Sequence, residues 1–454
     1  GPFRNPPPFS LPDCFSGTKG LIVNLYDVIV IGGGPAGCAM ALDLNRRGYD
    51  VALCDQAKFP RDKVCGEFIS PGADPILEQL GVLASIEALV PKRLKGVAIS
   101  SYESAELEMD YPVSTETGLR PSSLSVPRFQ LDALFIKKVQ STSVKVFEQH
   151  KVTDFIFDNG CVAGVHGWDE NKTSFSLKAK LVVDAGGRNA VSLRKFSLKQ
   201  EPKGNGKIAF SAHWQGVRLP DDYCYMHVSR PGYTGISSVG NGRANVVLVV
   251  DRSVLDCERV EKVEGVEKPE TFYHRVLMKN RRRREMLQDA ERVEPVRSVE
   301  SLAFAVRPVP CSGLVLVGDA MGFIDPFTGE GIYLSLRSSQ IASEVIHAGF
   351  QSSNFSRNFL SVYDKRRQEE FGGKFLLSRV LQWLIYNRPF CNRVLKSLST
   401  NRVLAETLVG VIGDILPAKK VVSMKFLFQL LVSPFAGEAN GKGLLSRDNS
   451  LIAK

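Results

Sequence analysis

Tyr26-Asp-Val-Ile-Val-Ile31, Gly32-Gly-Gly34-Pro35-Ala36-Gly37, Cys38 through Arg47-Gly48, and Tyr49-Asp-Val-Ala-Leu-Cys54-Asp55 decide the fold of this chain. The first run is β-branched and bounded by glycine, the pattern of a buried parallel strand. The stretch after Gly37 is helical in composition and stops at a glycine, and a second strand follows, closed by Asp55. A Gly-x-Gly-x-x-Gly pattern between a strand and a helix, with an acid about twenty residues on, is a dinucleotide-binding βαβ unit. Gly32 permits the tight turn, Gly34 lets backbone approach a pyrophosphate, and Gly37 lets helix pack on strand. Pro35 and Ala36 open the helix, whose free N–H groups face the phosphates. Asp55 accepts from a ribose 2′-hydroxyl, and its charge disfavours a 2′-phosphate.

A second apolar strand, Gly313-Leu-Val-Leu-Val-Gly318, lies nearly 300 residues downstream and runs into Asp319-Ala-Met-Gly322 and Pro326-Phe-Thr-Gly329-Glu330-Gly331-Ile332. With these residues the chain resembles the FAD-dependent monooxygenase (p-hydroxybenzoate hydroxylase-like) superfamily, which includes flavin-dependent halogenases and geranylgeranyl reductases. The resemblance implies FAD as cofactor, with Asp319 on the ribityl chain and Gly329, Gly331 and Ile332 at the flavin pyrimidine edge. Backbone N–H groups there would stabilise charge on the reduced ring. Val126-Pro-Arg128-Phe-Gln-Leu-Asp132 matches the segment whose arginine meets the FAD phosphates; the other reading of Arg128 is a surface salt bridge. In Asp184-Ala-Gly186-Gly187-Arg188 a glycine, Gly186, stands where the hydroxylases carry an aspartate of their nicotinamide site. NAD(P)H bound by other means, or a partner reductase, is the expected electron donor.

Phe59-Pro-Arg61-Asp-Lys63-Val-Cys65-Gly66-Glu67-Phe-Ile-Ser-Pro71 is similar to the geranylgeranyl reductase and halogenase loop that borders the isoalloxazine. The resemblance implies that Gly66 lets backbone approach the ring and that Cys65 or Glu67 orients substrate or moves a proton. The alternative is a small apolar residue and a helix-start charge. Tyr233 matches the prenyl-pocket signature of the reductases, but Gly235, Ser237 and Ser238 replace its Trp, Phe and Pro. The expectation is a wider, more polar pocket, and therefore a bulky lipophilic substrate such as a polyketide or isoprenoid product. Two chemistries stay open: hydroxylation with reduced flavin and dioxygen, which the altered signature favours, and hydride transfer to a C=C bond. A flavin-binding scaffold without turnover is the third reading.

The 454 residues carry 58 Lys+Arg against 48 Asp+Glu, a net +10, with 44% hydrophobic and 23% charged residues. That composition excludes collagen-like, coiled-coil and wholly disordered chains. Nine scattered cysteines without a C-x-x-C spacing exclude a disulfide framework and a zinc site, and no metal ligand set is expected. The expected class is α/β: a Rossmann-type FAD-binding domain (25–95, 126–200 and 306–350), an interleaved antiparallel-sheet substrate domain (96–125 and 201–305) and a helical region (351–435). Val144-Lys-Val-Phe reads with the middle antiparallel runs. Residues 1–24, opening on a Gly-Pro that looks like a cleavage remnant, are expected to be a mobile leader, and 436–454 a flexible tail. No signal peptide or spanning helix is expected, so the reading is cytoplasmic.

His213, Trp214, Tyr223, Tyr225 and His227 read either as a substrate-facing wall or as a core face. Lys279 to Arg284 reads as a solvated helix face, and no nucleic-acid partner is expected. Residues 360–454 hold 15 Lys+Arg and 7 Asp+Glu, so +8 of the +10 lies there. The cation-edged apolar runs 375–386 and 424–431 admit peripheral contact with an anionic membrane beside ordinary packing. The sequence leaves the oligomeric state open.

Overall fold

The computed structural model describes residues 23–89, 93–102, 106–113, 118–201, 206–219, 222–254, 268–300, 302–323 and 326–432. The expected leader up to residue 22 and the expected tail lie outside the described residues. The first sheet is centred on the strand Val23–Ile31, which begins three residues before the apolar run. It pairs in parallel with Val51–Cys54 on one side and Ser174–Asp184 on the other. Val28, Ile29 and Val30 are fully buried, as a strand covered on both faces requires. Leu314–Leu316 pairs in parallel with the C-terminal half of Ser174–Asp184, and Cys161–Trp168 pairs antiparallel with its N-terminal half.

Lys145–Phe147 corrects one expectation. It lies at the edge of this parallel sheet beside Val51–Cys54, not in the middle antiparallel sheet. A three-residue strand carries no signal of the direction of its partner. Helices Pro35–Arg46, Arg128–Gln140 and Gly331–Ser352 contribute Ala39, Phe135 and Leu336 to one core that covers the sheet.

The second sheet runs in the order Glu291–Arg292, Lys207–Gln215, Arg243–Asp251, Gly232–Gly240, Tyr223–Ser229, Gly96–Ser101, Glu106–Asp110. All neighbours along it are antiparallel except Tyr223–Ser229 with Gly96–Ser101. One face packs on helix Pro269–Lys279 through Phe272 and Tyr273. The other face meets the C-terminal helices Arg357–Tyr386, Arg388–Thr400 and Arg402–Ile412, whose Leu381, Leu395 and Leu408 share a core with Val97, Tyr233 and Val249. The architecture is therefore mixed α/β with a helical C-terminal region. The carboxyl ends of the central parallel strands face the second sheet, where ligands of open α/β sheets bind.

Candidate functional site

The glycine turn is built by close contact. Gly32 has φ +100°, and a Cβ there would lie 2.6 Å from the Ala185 carbonyl oxygen. A Cβ at Gly37 would lie 1.8 Å from the Gly32 oxygen, so helix and turn touch through bare backbone. Gly34 differs: nothing but the ends of Arg61 and Arg128 comes near, at 3.7 and 3.9 Å from the place of a Cβ. The space above Gly34 is thus kept open at the first turn of helix Pro35–Arg46. Asp55 anchors the turn: its Oδ2 accepts from Gly33 N at 2.6 Å and its Oδ1 from Ala57 N at 2.7 Å. Ala36 is buried close to Gly318, which joins the two nucleotide-binding segments.

Arg128 is buried, and its Nε and Nη2 donate to the two Asp132 oxygens at 2.8 Å each. Arg61 Nη1 lies 3.0 Å from Asp132 Oδ2. Two guanidiniums share one carboxylate, so a positive charge is left over above Gly34, where a diphosphate needs it. Burial opposes the charge on Arg128, but Asp132 outweighs it and holds the guanidinium protonated. Arg128 is therefore no surface salt bridge. Sequence reading gave Arg61 no role: it lies in the segment that carries Cys65 and Glu67 but 67 residues from Arg128. Lys63 lines the same region, and burial followed by the nearby Arg128 pushes its amine pKa down.

Between the two sheets lies a cleft enclosing about 1400 Å³, its open mouth included. Pro35, Cys65, Gly66, Glu67, Arg128, Asp319, Gly329, Gly331 and Ile332 meet along one side. Tyr233, Gly235 and Ser237 line the other with Val97, Ala209, Met226, Val247 and Val249. The expected polar pocket is corrected here. Ser238 points to solvent, and aliphatic and aromatic side chains dominate the wall. The loss of the aromatic signature therefore widens the cleft over Gly235 without making it polar. Tyr233 stands edge-on to Phe327, centroids 5.1 Å apart.

The wall also settles the period-two face. Trp214, Tyr223, Tyr225 and His227 are buried on the far side of the sheet, while the intervening Cys224 and Met226 face the cleft. His213 alternates the other way. Its Nε2 lies 2.8 Å from Glu67 Oε2 and its Nδ1 2.9 Å from Glu294 Oε1. Burial disfavours the imidazolium, but hydrogen bonds to Glu294 and Glu67 outweigh it and raise the pKa to about 10. Glu67, held at φ +60° with little exposure, also accepts from Arg128 N at 2.9 Å and so caps helix Arg128–Gln140. Both its oxygens are engaged, which makes it an anchor of the loop and not a ready acid. Cys65 Sγ accepts from Glu67 N at 3.3 Å, and Cys65 O accepts from Asn245 Nδ2 at 2.8 Å. The Cys65–Glu67 loop is thus tied to both sheets. The basic helix Arg281–Leu287 departs from a solvated face in one residue: Arg283 is buried and donates to Thr234 Oγ1 and the carbonyls of Val276 and Leu277.

Gly331 opens helix Gly331–Ser352 with nothing within 4 Å of the place of a Cβ, and Gly66 is equally clear. Beneath Gly331, Lys374 is buried and paired with Glu330 Oε1 at 2.6 Å and with Asp414, while Ser70 Oγ donates to Asp414 Oδ2 at 2.5 Å. Burial, then repulsion from Glu330, raises the Asp414 pKa to about 7 against the pull of Lys374.

An open anion cradle at one helix N-terminus, a carboxylate at Asp319 and a second open helix N-terminus at Gly331 fit the diphosphate, ribityl and ring of a flavin dinucleotide. The fold and site define a flavoprotein of the FAD-dependent oxidoreductases. Residues 25–367 match the FAD binding domain family, and the chain belongs to that family, within the FAD-dependent monooxygenase superfamily. It is 27% identical over 371 residues to a 1H-pyrrole-2-carbonyl-[peptidyl-carrier protein] chlorinase of Pseudomonas fluorescens, covering 75% of this chain and 79% of that one. It is 26% identical to the menaquinone reductase of Mycolicibacterium smegmatis, covering 79% and 84%. A geranylgeranyl bacteriochlorophyll reductase-like protein from Thermoplasma acidophilum shares the fold, with TM-score 0.68 at 21% identity over 90% and 96% of the two chains.

Proposed function

We propose that the chain reduces a C=C bond in a bulky lipophilic substrate of isoprenoid type. The apolar wall of the cleft carries this reading: it offers dispersion and water exclusion along its length and polar groups mainly at the flavin side. The menaquinone reductase named above and a digeranylgeranylglycerophospholipid reductase of Thermoplasma volcanium, 25% identical over 77% of this chain and 85% of that one, act on molecules of this kind by their names. Bound FAD, once reduced by NAD(P)H or a partner reductase, supplies the hydride. The chain's own residues hold the rest. Arg61 and Arg128 bind the diphosphate, Asp319 the ribityl chain, and the Gly331 and Ile332 N–H groups face developing charge at the ring. Cys65 delivers the proton to the neighbouring carbon, Tyr233 orients the substrate, and Glu67 positions the loop. A lipophilic substrate partitions into bilayers, so the reading carries peripheral membrane association with it.

The space over Gly235 also admits a fused-ring substrate, which favours hydroxylation as the second reading. Anaerobic mixing of the photoreduced holoprotein with a geranylgeranyl lipid, which has no quinone ring to take the electrons, separates the two. Substrate-driven return of the oxidised flavin absorbance is expected, with a product two hydrogens heavier. A product that forms only with dioxygen and carries its isotope label overturns the reduction. Cys65→Ala is expected to slow product formation at least tenfold at unchanged flavin occupancy.

A further inference from the structure

The C-terminal helices pack one face on the second sheet, which walls the cleft, and show a different chemistry on the other. On helix Arg357–Tyr386, Leu377, Leu381 and Ile385 are buried in the core shared with the cleft residues Tyr233 and Val249. Leu376, Trp383 and Tyr386 are exposed, 45, 53 and 36%. With Arg379 they follow at intervals of three and four residues and so share one helical face. Phe390, 42% exposed on the next helix, extends the patch: its ring lies 5.0 Å from that of Trp383. Large apolar side chains grouped at one corner of a surface mark an interaction site and not scattered exposure.

Charge says what covers it. From Phe371 to Ala405 the sequence has six Lys and Arg and no Asp or Glu. Lys374 is the buried one; Arg379, Arg388, Arg393 and Lys396 are exposed on the same two helices. An exposed aromatic patch on two consecutive helices, in a segment that carries these four exposed cations and no acid, matches the interface of an anionic bilayer. No helix among the described residues is long and apolar enough to cross a membrane, so the contact is in-plane.

We infer that the exposed face of residues 376–396 docks on an anionic phospholipid surface, its buried face resting on the sheet that walls the cleft. Exposure and charge define the surface; only what the membrane supplies rests on the lipophilic-substrate reading. The test uses the full FAD-loaded chain and sedimented vesicles of phosphatidylcholine with or without phosphatidylglycerol. Binding to the anionic vesicles, its loss in high salt and weak binding to neutral vesicles are expected. The double variant Arg379→Gln/Lys396→Gln is expected to bind about thirtyfold more weakly. Trp383→Ser/Phe390→Ser is expected to lose binding even at low salt, with flavin absorbance kept in both variants. Equal binding of all variants, no binding at all, or binding lost on removing residues 433–454 alone would overturn the inference. So would a concentration-dependent dimer in sedimentation velocity that the aromatic variant dissolves. If vesicles bind but no lipophile reoxidises the reduced protein, the surface stands and the substrate reading falls; turnover in detergent without vesicle binding gives the reverse.

Discussion

Gly34 and Gly37 lie three residues apart and do different work. Gly37 is glycine because the Gly32 oxygen occupies the place of its Cβ. Gly34 has φ −80°, a conformation any residue adopts, and the space over it is open. Gly34→Ala is therefore expected to give a folded protein with near-parental thermal midpoint that purifies without yellow colour, its methyl intruding on the diphosphate. Gly37→Ala is expected to separate helix from turn and to be insoluble or strongly destabilised. Equal flavin content in Gly34→Ala and parent would place the diphosphate elsewhere. His213 makes a second residue-scale prediction. Its pKa rises from an ordinary 6.5 to about 10 on folding, so its ion pairs contribute fully below about pH 6.5 and fade as pH climbs through 10. The thermal midpoint of His213→Gln is expected to fall below the parent at pH 6 and to converge on it near pH 10. A constant difference would show that packing, not charge, holds the loop.

At the scale of elements, the buried Lys374 ties helix Arg357–Tyr386 to Glu330, one residue before helix Gly331–Ser352, and to Asp414, which also holds Ser70. Removing the one cation leaves two buried carboxylates facing each other. Lys374→Met is expected to cost about 3–5 kcal/mol in denaturant unfolding, and adding Glu330→Gln and Asp414→Asn is expected to recover most of it. A loss under about 1 kcal/mol would mean water reaches the cluster. This network was not legible in the sequence. Its members lie 40 and more residues apart: Lys374 and Asp414 look like ordinary charged residues of a helical tail, and neither Glu330 within its glycine motif nor Ser70 points to them. The glycine turn was legible because its demand is local: one bare backbone against another within six residues. Arg61 and the His213 clamp fall between these cases. Each lies near a readable motif, but its partner comes from a different segment, and no local pattern encodes a tertiary pair.

For the whole molecule, the cleft belongs to no single element: the flavin-side loop, the second sheet and the start of helix Gly331–Ser352 line it, with Ile412 added from the C-terminal helices. The sequence revealed which aromatics were missing at 235–238, but only the packing shows that aliphatic side chains, not polar ones, surround the space they left. Gly235 is the position where that space can be refilled. A Cβ there meets only the Met226 sulfur, at 3.4 Å, and a flexible thioether gives way easily. Gly235→Trp is expected to project its indole into the cleft while leaving the diphosphate cradle on the other wall untouched. Flavin content and reduction by the donor should then match the parent, whereas turnover of a bulky lipophile should fall at least tenfold and that of a slim single-chain prenyl substrate should fall far less. An equal loss for both would mean that the substrate enters from another side. Unchanged turnover of the bulky substrate would mean that the apolar cleft is not where catalysis takes place.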